Sequence, residues 1–315
     1  MNRHITLLLA LLTIILYSCA EHSTLRDRLY KAESVMEADP KAAMAILDSI
    51  CTDQLSNDSD KALFALLYSQ ARDKNYIDVT DDSLVNIAVT YYTGRSDDLH
   101  KERANYYLAC VKCNAGDYAA GMTAVSEALR IAKALDDDRE IARAYELMAD
   151  LHNATYNSSR SLHYRYLTRQ HYRKARLPRE TAYSELDLAI GLYNDRQYNR
   201  SIALIDSLMP TINGDSLFQA HCLSALVRPL LYTADYRRAA KVLAQLKDFT
   251  GIYSLTCQDY ANLAELYLYA GDIDKAQFYI ERSASLSPEA IQPAIARYRL
   301  HLKDCLLYTS DAADE

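Results

Sequence analysis

Between Tyr107-Leu108-Ala109 and Ala128-Leu129 the chain is interrupted once, by Gly116-Asp117-Tyr118. Gly116 tolerates a left-handed backbone and ends one helix, while Asp117 offers a side-chain acceptor to the start of the next. Ala109 is small where a second helix must cross the first closely, Tyr118 packs back into the pair, and Ala128 lets the second helix lie against its neighbours. The spacing predicts two antiparallel helices, each about a dozen residues long, joined by a short polar turn.

Working outward, the same frame recurs. Leu263-Ala264 and Tyr267 precede Gly271-Asp272-Ile273, then Ala276, Ala284 and a terminating Pro288. A weaker copy runs through Leu188-Ala189, Tyr198, Ile202 and Leu208, and another surrounds Ala234-Asp235-Tyr236 and Ala239. The match is plain at 102–135 and 257–290, moderate at 182–246 and loose at 140–175. Residues 25–50 form a further pair turning at Asp39-Pro40, where proline opens the second helix, and 60–92 another, hinged at Asp78 to Asp82. Residues 292–304 begin one more helix. Six or seven pairs, at a period of about 34 to 40 residues, thus cover nearly all of the chain after its first 24 residues.

These units resemble the tetratricopeptide repeat (TPR). The phrases Ala45-Ile46-Leu47-Asp48-Ser49-Ile50, Ser69-Gln70-Ala71-Arg72-Asp73-Lys74-Asn75-Tyr76 and Asp82-Ser83-Leu84-Val85-Asn86-Ile87 look like those of the TPR lipoproteins of Bacteroidetes. The resemblance implies an all-α fold, a right-handed alpha solenoid of antiparallel helix pairs, in which no pair buries its apolar face alone and stacking supplies the core.

Composition agrees with helix. Gly (7) and Pro (6) are too scarce for many strands and tight turns. Tyr is abundant, 26 against 4 Phe and no Trp, which suits a thin array where a ring packs in a helix groove and its hydroxyl reaches water. The net charge of −7 argues against nucleic acid as a partner. The seven cysteines have irregular spacing and suggest no disulfide framework.

Arg3 and His4 precede an apolar run, Ile5 to Leu16, too short to span a bilayer and suited to a signal peptide. It ends in Leu16-Tyr17-Ser18-Cys19, which resembles a bacterial lipobox, although Tyr17 is larger than usual. The resemblance implies cleavage before Cys19 and a lipid on that cysteine, with Ala20-Glu21 favouring the outer membrane. Expected organisation is therefore a signal peptide at 1–18, a tether at 19–24 and repeats at 25–304. Cys305 to Glu315 breaks the pattern and resembles translated sequencing-adapter read-through, so the natural sequence is expected to run only to about Asp304 before an artificial tail.

Chemistry-bearing motifs are sparse. Cys110-x-x-Cys113 lies within a helix and lacks the second pair a structural zinc site needs. His163 and His171 share a helical face without metal-ligand spacing or a carboxylate. There is no glycine-rich phosphate loop and no Gly-x-Ser-x-Gly elbow. No enzyme activity, cofactor or metal is expected.

The unusual stretch is Arg160 to Arg179, which holds seven Arg and Lys residues and no acid. Arg165, Arg169, Arg173 and Arg176, spaced four, four and three, fall on one helical face with Tyr164, Tyr166 and Tyr172 between them. The face is either a solvated exterior or a strip that docks an acidic partner. First-helix positions Asn105, Lys112, Asp187, Asn262 and Tyr269 are further candidates, lining the concave side where an extended peptide or helix would lie. Three functions follow: an envelope-anchored protein-interaction scaffold, touching the membrane through its lipid alone; the input half of a signalling protein whose membrane helix and output domain lie beyond Asp304; and, least favoured without Trp, a glycan-binding lipoprotein.

Overall fold

The computed structural model describes residues 25–211, 214–249, 251–286 and 300. Cys19, the tether, Pro288 and the tail from Cys305 lie outside them. The described residues are mostly helical, without strands, and form two compact units divided after Arg176. No described helix is long and apolar enough to cross a membrane.

In the first unit α1 (25–35) pairs with α2 (Pro40–Asp48), α3 (Asp58–Lys74) with α4 (Ser83–Tyr92), α5 (Asp98–Asn114) with α6 (Tyr118–Ala134) and α7 (Asp138–Ala154) with α8 (Ser158–Lys174). In the second, α9 (Pro178–Asn194) pairs with α10 (Tyr198–Leu208), α11 (Ser216–Tyr232) with α12 (Tyr236–Leu246) and α13 (Cys257–Tyr269) with α14 (Ile273–Leu286). First helices also stack on first helices, α3 on α5 on α7 and α9 on α11 on α13. The fold is thus the expected solenoid of helix pairs, and the segment 140–175, a loose match by sequence, holds a pair as regular as the rest.

Helix length differs from expectation. Seven helices are 17 residues long, not a dozen. The apolar stripe marks only the packed turns, whereas a capped polar first turn such as Asp98 to Lys101 belongs to the helix too. Helices α3, α5 and α7 accordingly start 40 residues apart, at Asp58, Asp98 and Asp138.

One turn geometry sets this period. After α5, Gly116 takes φ +77°, its N–H bonds the Cys113 carbonyl, and the Asp117 N–H reaches back to that of Lys112. This Schellman arrangement satisfies the orphan carbonyls. The Asp117 carboxylate then accepts from Ala120 N–H and opens α6, so one residue closes a helix and caps the next. Asp137, Asn157, Asp235 and Asp272 repeat the double role. Asp39 caps α2 directly ahead of Pro40, as the sequence suggested.

Pairs cross on small residues. Ala109, Ala189 and Ala264 are buried as expected, and Gly121, Ser161, Ser201, Ala239 and Ala276 face the same crossing level from the second helices. A methyl placed on Gly121 would stand 3.4 Å from the Ala109 carbonyl oxygen. Beyond α14, Leu300 is buried with Ala264, Leu268, Ala276 and Ile280, so residue 300 contributes to the core of the last described pair.

Candidate functional site

In the first unit the face made by the first helices is occupied by its own side chains. Glu33, on α1, meets His100 Nε2 at 3.0 Å and Arg103 at 3.1 Å, both on α5. Glu37, one helical turn on, pairs with Lys74 of α3 at 3.1 Å and with Arg139 of α7. Two carboxylates of the first pair therefore clasp the next three first helices. Burial alone would lower His100, but hydrogen bonds to the carboxylates of Glu33 and Asp97 raise it above the usual histidine range. Burial raises Glu37, and Lys74 with Arg139 outweighs it, leaving that carboxyl below its ordinary value.

Deeper on this face Arg143 pairs with Glu140 at 2.7 Å, donates to the Tyr107 hydroxyl at 3.0 Å and lies 4.1 Å over the Tyr106 ring. Burial pushes the neighbouring Cys110 thiol well up, and raises Asp73 above the usual carboxylate range. Glu102 is fully buried, and neither of its carboxylate oxygens has a hydrogen-bond partner among the described residues. Burial, with Glu140 second, raises it to about 8. Glu102 is enclosed between helices, while Asp73, Tyr107 and Cys110 border only a crevice of about 20 Å3, too small for a substrate.

The candidate docking residues separate. Arg165 is turned inward and bonds Asp150 of α7 at 3.0 Å. Arg176 is not on the helix at all: α8 ends at Lys174, and Arg176 takes φ +56° in the following turn. Arg169 lies 5.6 Å from the Tyr166 ring, half-buried, while Arg173 is exposed. The four arginines thus form no single outward strip, because helical spacing could not reveal where α8 stops or that Arg165 tucks in to reach Asp150 of α7. His171 bonds Asp138 at 2.6 Å, while His163 is exposed. No group of three metal-ligating side chains gathers among the described residues.

Of the first-helix candidates, Asn105 bonds the Lys101 carbonyl of its own helix, and Lys112 pairs with Asp82 at 2.6 Å. Asp187 is half-buried on α9. Asn262 is fully buried, accepting from Gln258 at 3.0 Å, and offers nothing to a partner. Tyr269 alone opens onto a cavity.

That cavity is a groove of about 420 Å3 between α12 and α13, in the size range of ligand sites. Tyr269, 62% exposed, stacks on Tyr236 with ring centres 3.5 Å apart. The stack sets the end of α13 beside the start of α12, so the helices run in opposite directions along the groove. Ala240 and Ala244 make its floor, Leu266 stands opposite, Arg237 lines it near the start of α12 and Lys247 just past that helix's end. The sequence reading passed over α12, although its exposed Arg237-Ala240-Ala244-Lys247 pattern, spaced three, four and three, was there to be seen. A larger groove of about 550 Å3 along α3 and α4 mixes Asp58, Lys61, Ser83 and Asn86 with Ile87 and Tyr91, and in it Arg95 folds over the Tyr91 ring at 3.7 Å.

Comparison with solved structures agrees with this architecture. A Rap protein complexed with Competence and Sporulation Factor superposes at TM-score 0.66 with 15% identity, covering 87% of this chain and 80% of the other. NprR in complex with its cognate peptide NprX superposes at 0.64 with 13% identity, covering 92% and 86%. A tetratricopeptide repeat protein from Parabacteroides merdae ATCC 43184 gives 0.58 with 10% identity, covering 89% and 99%. The fold is TPR-like. At these identities the likeness is one of fold alone, and no protein-family model and no curated protein matches the sequence.

Proposed function

We propose that this TPR-like chain is a non-enzymatic binding module that holds a segment of a partner protein in the α12–α13 groove, while a lipid on Cys19 keeps it at a membrane of the cell envelope. The groove carries the reading: it is an open, mainly apolar surface lined by Ala240, Ala244, Leu243, Leu263 and Leu266. Of the strongly shifted side chains, Glu102 is fully buried and Cys110 borders only a narrow crevice, which supports binding over catalysis. NprR holding its cognate peptide and Rap holding Competence and Sporulation Factor support a peptide-like occupant. The lipid rests on Leu16-Tyr17-Ser18-Cys19. A second reading, the input half of a signalling protein continuing beyond Asp304, draws on the same NprR complex, in which the bound group is a cognate peptide.

Two measurements test the proposal. A photoreactive side chain at Ala244 should crosslink a discrete envelope protein that the same group at exposed Ser126 does not reach, and identical adduct patterns would remove the groove. Expressed from Met1 in a Gram-negative host, the chain should sediment with membranes and Cys19→Ala should release it. Equal release of both would remove the anchor.

A further inference from the structure

The groove has a charge pattern as well as a shape. Arg237, Ala240 and Ala244 are exposed on one face of α12, and Lys247, the exposed residue that caps its end, continues that face. The two cations stand ten residues apart, a rise of about 15 Å along the helix. No carboxylate lines the groove among the described residues, although the whole chain carries a net charge of −7. The alanine floor lacks projecting side chains, so the backbone of a third helix can approach to ordinary packing distance. The Tyr236–Tyr269 stack forms a wall at one end, an apolar surface with hydroxyls at its rim.

We infer that the groove receives an amphipathic helix of a partner protein, with an apolar stripe on the alanine floor and a carboxylate at each end of that stripe, about three turns apart. One carboxylate meets Arg237 and the other Lys247; the small side chains between them admit leucine-sized groups. The helix geometry fixes the register, because positions i, i+4, i+7 and i+11 share a face and span the same length as the two cations. The inference rests on the proposed binding function and adds the chemistry of its occupant.

The test uses the full chain and a synthetic fifteen-residue helical peptide with glutamate at its second and thirteenth positions and leucine at its sixth and ninth, followed by fluorescence anisotropy. Binding should weaken with salt, and should fall at least tenfold with the double variant Arg237→Glu, Lys247→Glu. A peptide with lysines replacing the two glutamates should show the opposite preference. Circular dichroism checks that the variants, all at exposed positions, remain folded. Equal binding of both peptides to the unaltered chain, lost on Ala244→Arg, would overturn the charge assignment and leave the groove as a docking site. Binding of neither peptide would overturn the inference while the Ala244 crosslink still reports on the function. Binding that survives Ala244→Arg would overturn the inference and count against the groove itself. Concentration-dependent self-association abolished by Ala244→Arg would replace the partner helix with a second copy of the chain.

Discussion

Glu102 stands where the neighbouring first helices carry alanine: Ala62, Ala142 and Ala182 fall at the same place in the 40-residue frame. Its carboxyl is raised by burial, then by Glu140, to about 8, against an ordinary 4.5 in the unfolded chain. The folded state therefore holds this proton more tightly, so the stability tied to it is complete below pH 4.5 and is lost as pH rises towards 8. Across that window the native protein should lose about 2–4 kcal/mol that Glu102→Gln retains. Urea melts at acid and mildly alkaline pH measure the difference; parallel curves for the two proteins would refute the assignment. A second residue effect concerns the turns. Gly116 and Ala234 share the left-handed conformation, at φ +77° and +60°. A side chain there costs about 1 kcal/mol in backbone strain, partly offset by the lower entropy of its unfolded state. Thermal melts should therefore show Ala234→Gly stabilised and Gly116→Ala, which meets nothing within 4 Å, destabilised, each by about 0.5 kcal/mol.

The helix pairs were legible because their determinants are local. Gly116-Asp117 and Asp39-Pro40 declare a stop and a start within two residues, and Ala109, Ala189 and Ala264 mark crossings by size alone. Other turns were harder to read, since Asp136, Tyr156 and Arg196 adopt the left-handed conformation without being glycine. What the residue types did not reveal was inward or outward direction: Arg165 looks like a surface residue until its burial and its bond to Asp150 on α7 are seen, and Asn262 looks like a contact residue until its burial is known. The crossing of α9 and α10 shows how tightly size is specified. Ser201 is fully buried and donates to the Ala189 carbonyl at 2.7 Å. Ser201→Leu should overpack this crossing and cost about 1–3 kcal/mol, while Ser207→Leu on the exposed side of α10 should stay within about 0.5 kcal/mol. Guanidinium melts of the two variants decide it; equal losses would mean that α10 can shift freely on α9.

A repeat array is expected to hold together through contacts between neighbours, and in the first unit the clasp departs from that rule. Glu37 reaches Arg139 across 102 residues of sequence, and Glu33 reaches His100 and Arg103 across 67 and 70. No motif announces such pairs; they exist because stacking brings α1, α3, α5 and α7 to one face, and so they were invisible before the fold was known. Their energy is bounded by exposure. Glu37 and Arg139 are 40% and 38% exposed, so solvent screens them and the Glu37 pairs together contribute only about 1 kcal/mol. Because Glu37 lies below its ordinary value, that contribution is present above pH 4.5 and disappears as pH falls through its folded value. The Glu33–His100 contact works in the opposite direction: His100 is raised, so its contribution is full below pH 6.5 and is lost as pH climbs through the folded value. Both halves are therefore charged together only in mildly acidic to neutral solution. A double-mutant cycle of Glu37→Gln and Arg139→Gln should give a coupling of about 0.5–1 kcal/mol near pH 6 that shrinks in 1 M salt. A cycle with no coupling at low salt would show that α1 is held by its buried Leu25, Leu29, Ala32 and Met36 alone, leaving the ion pairs to fix only the direction in which the first pair lies on its neighbours.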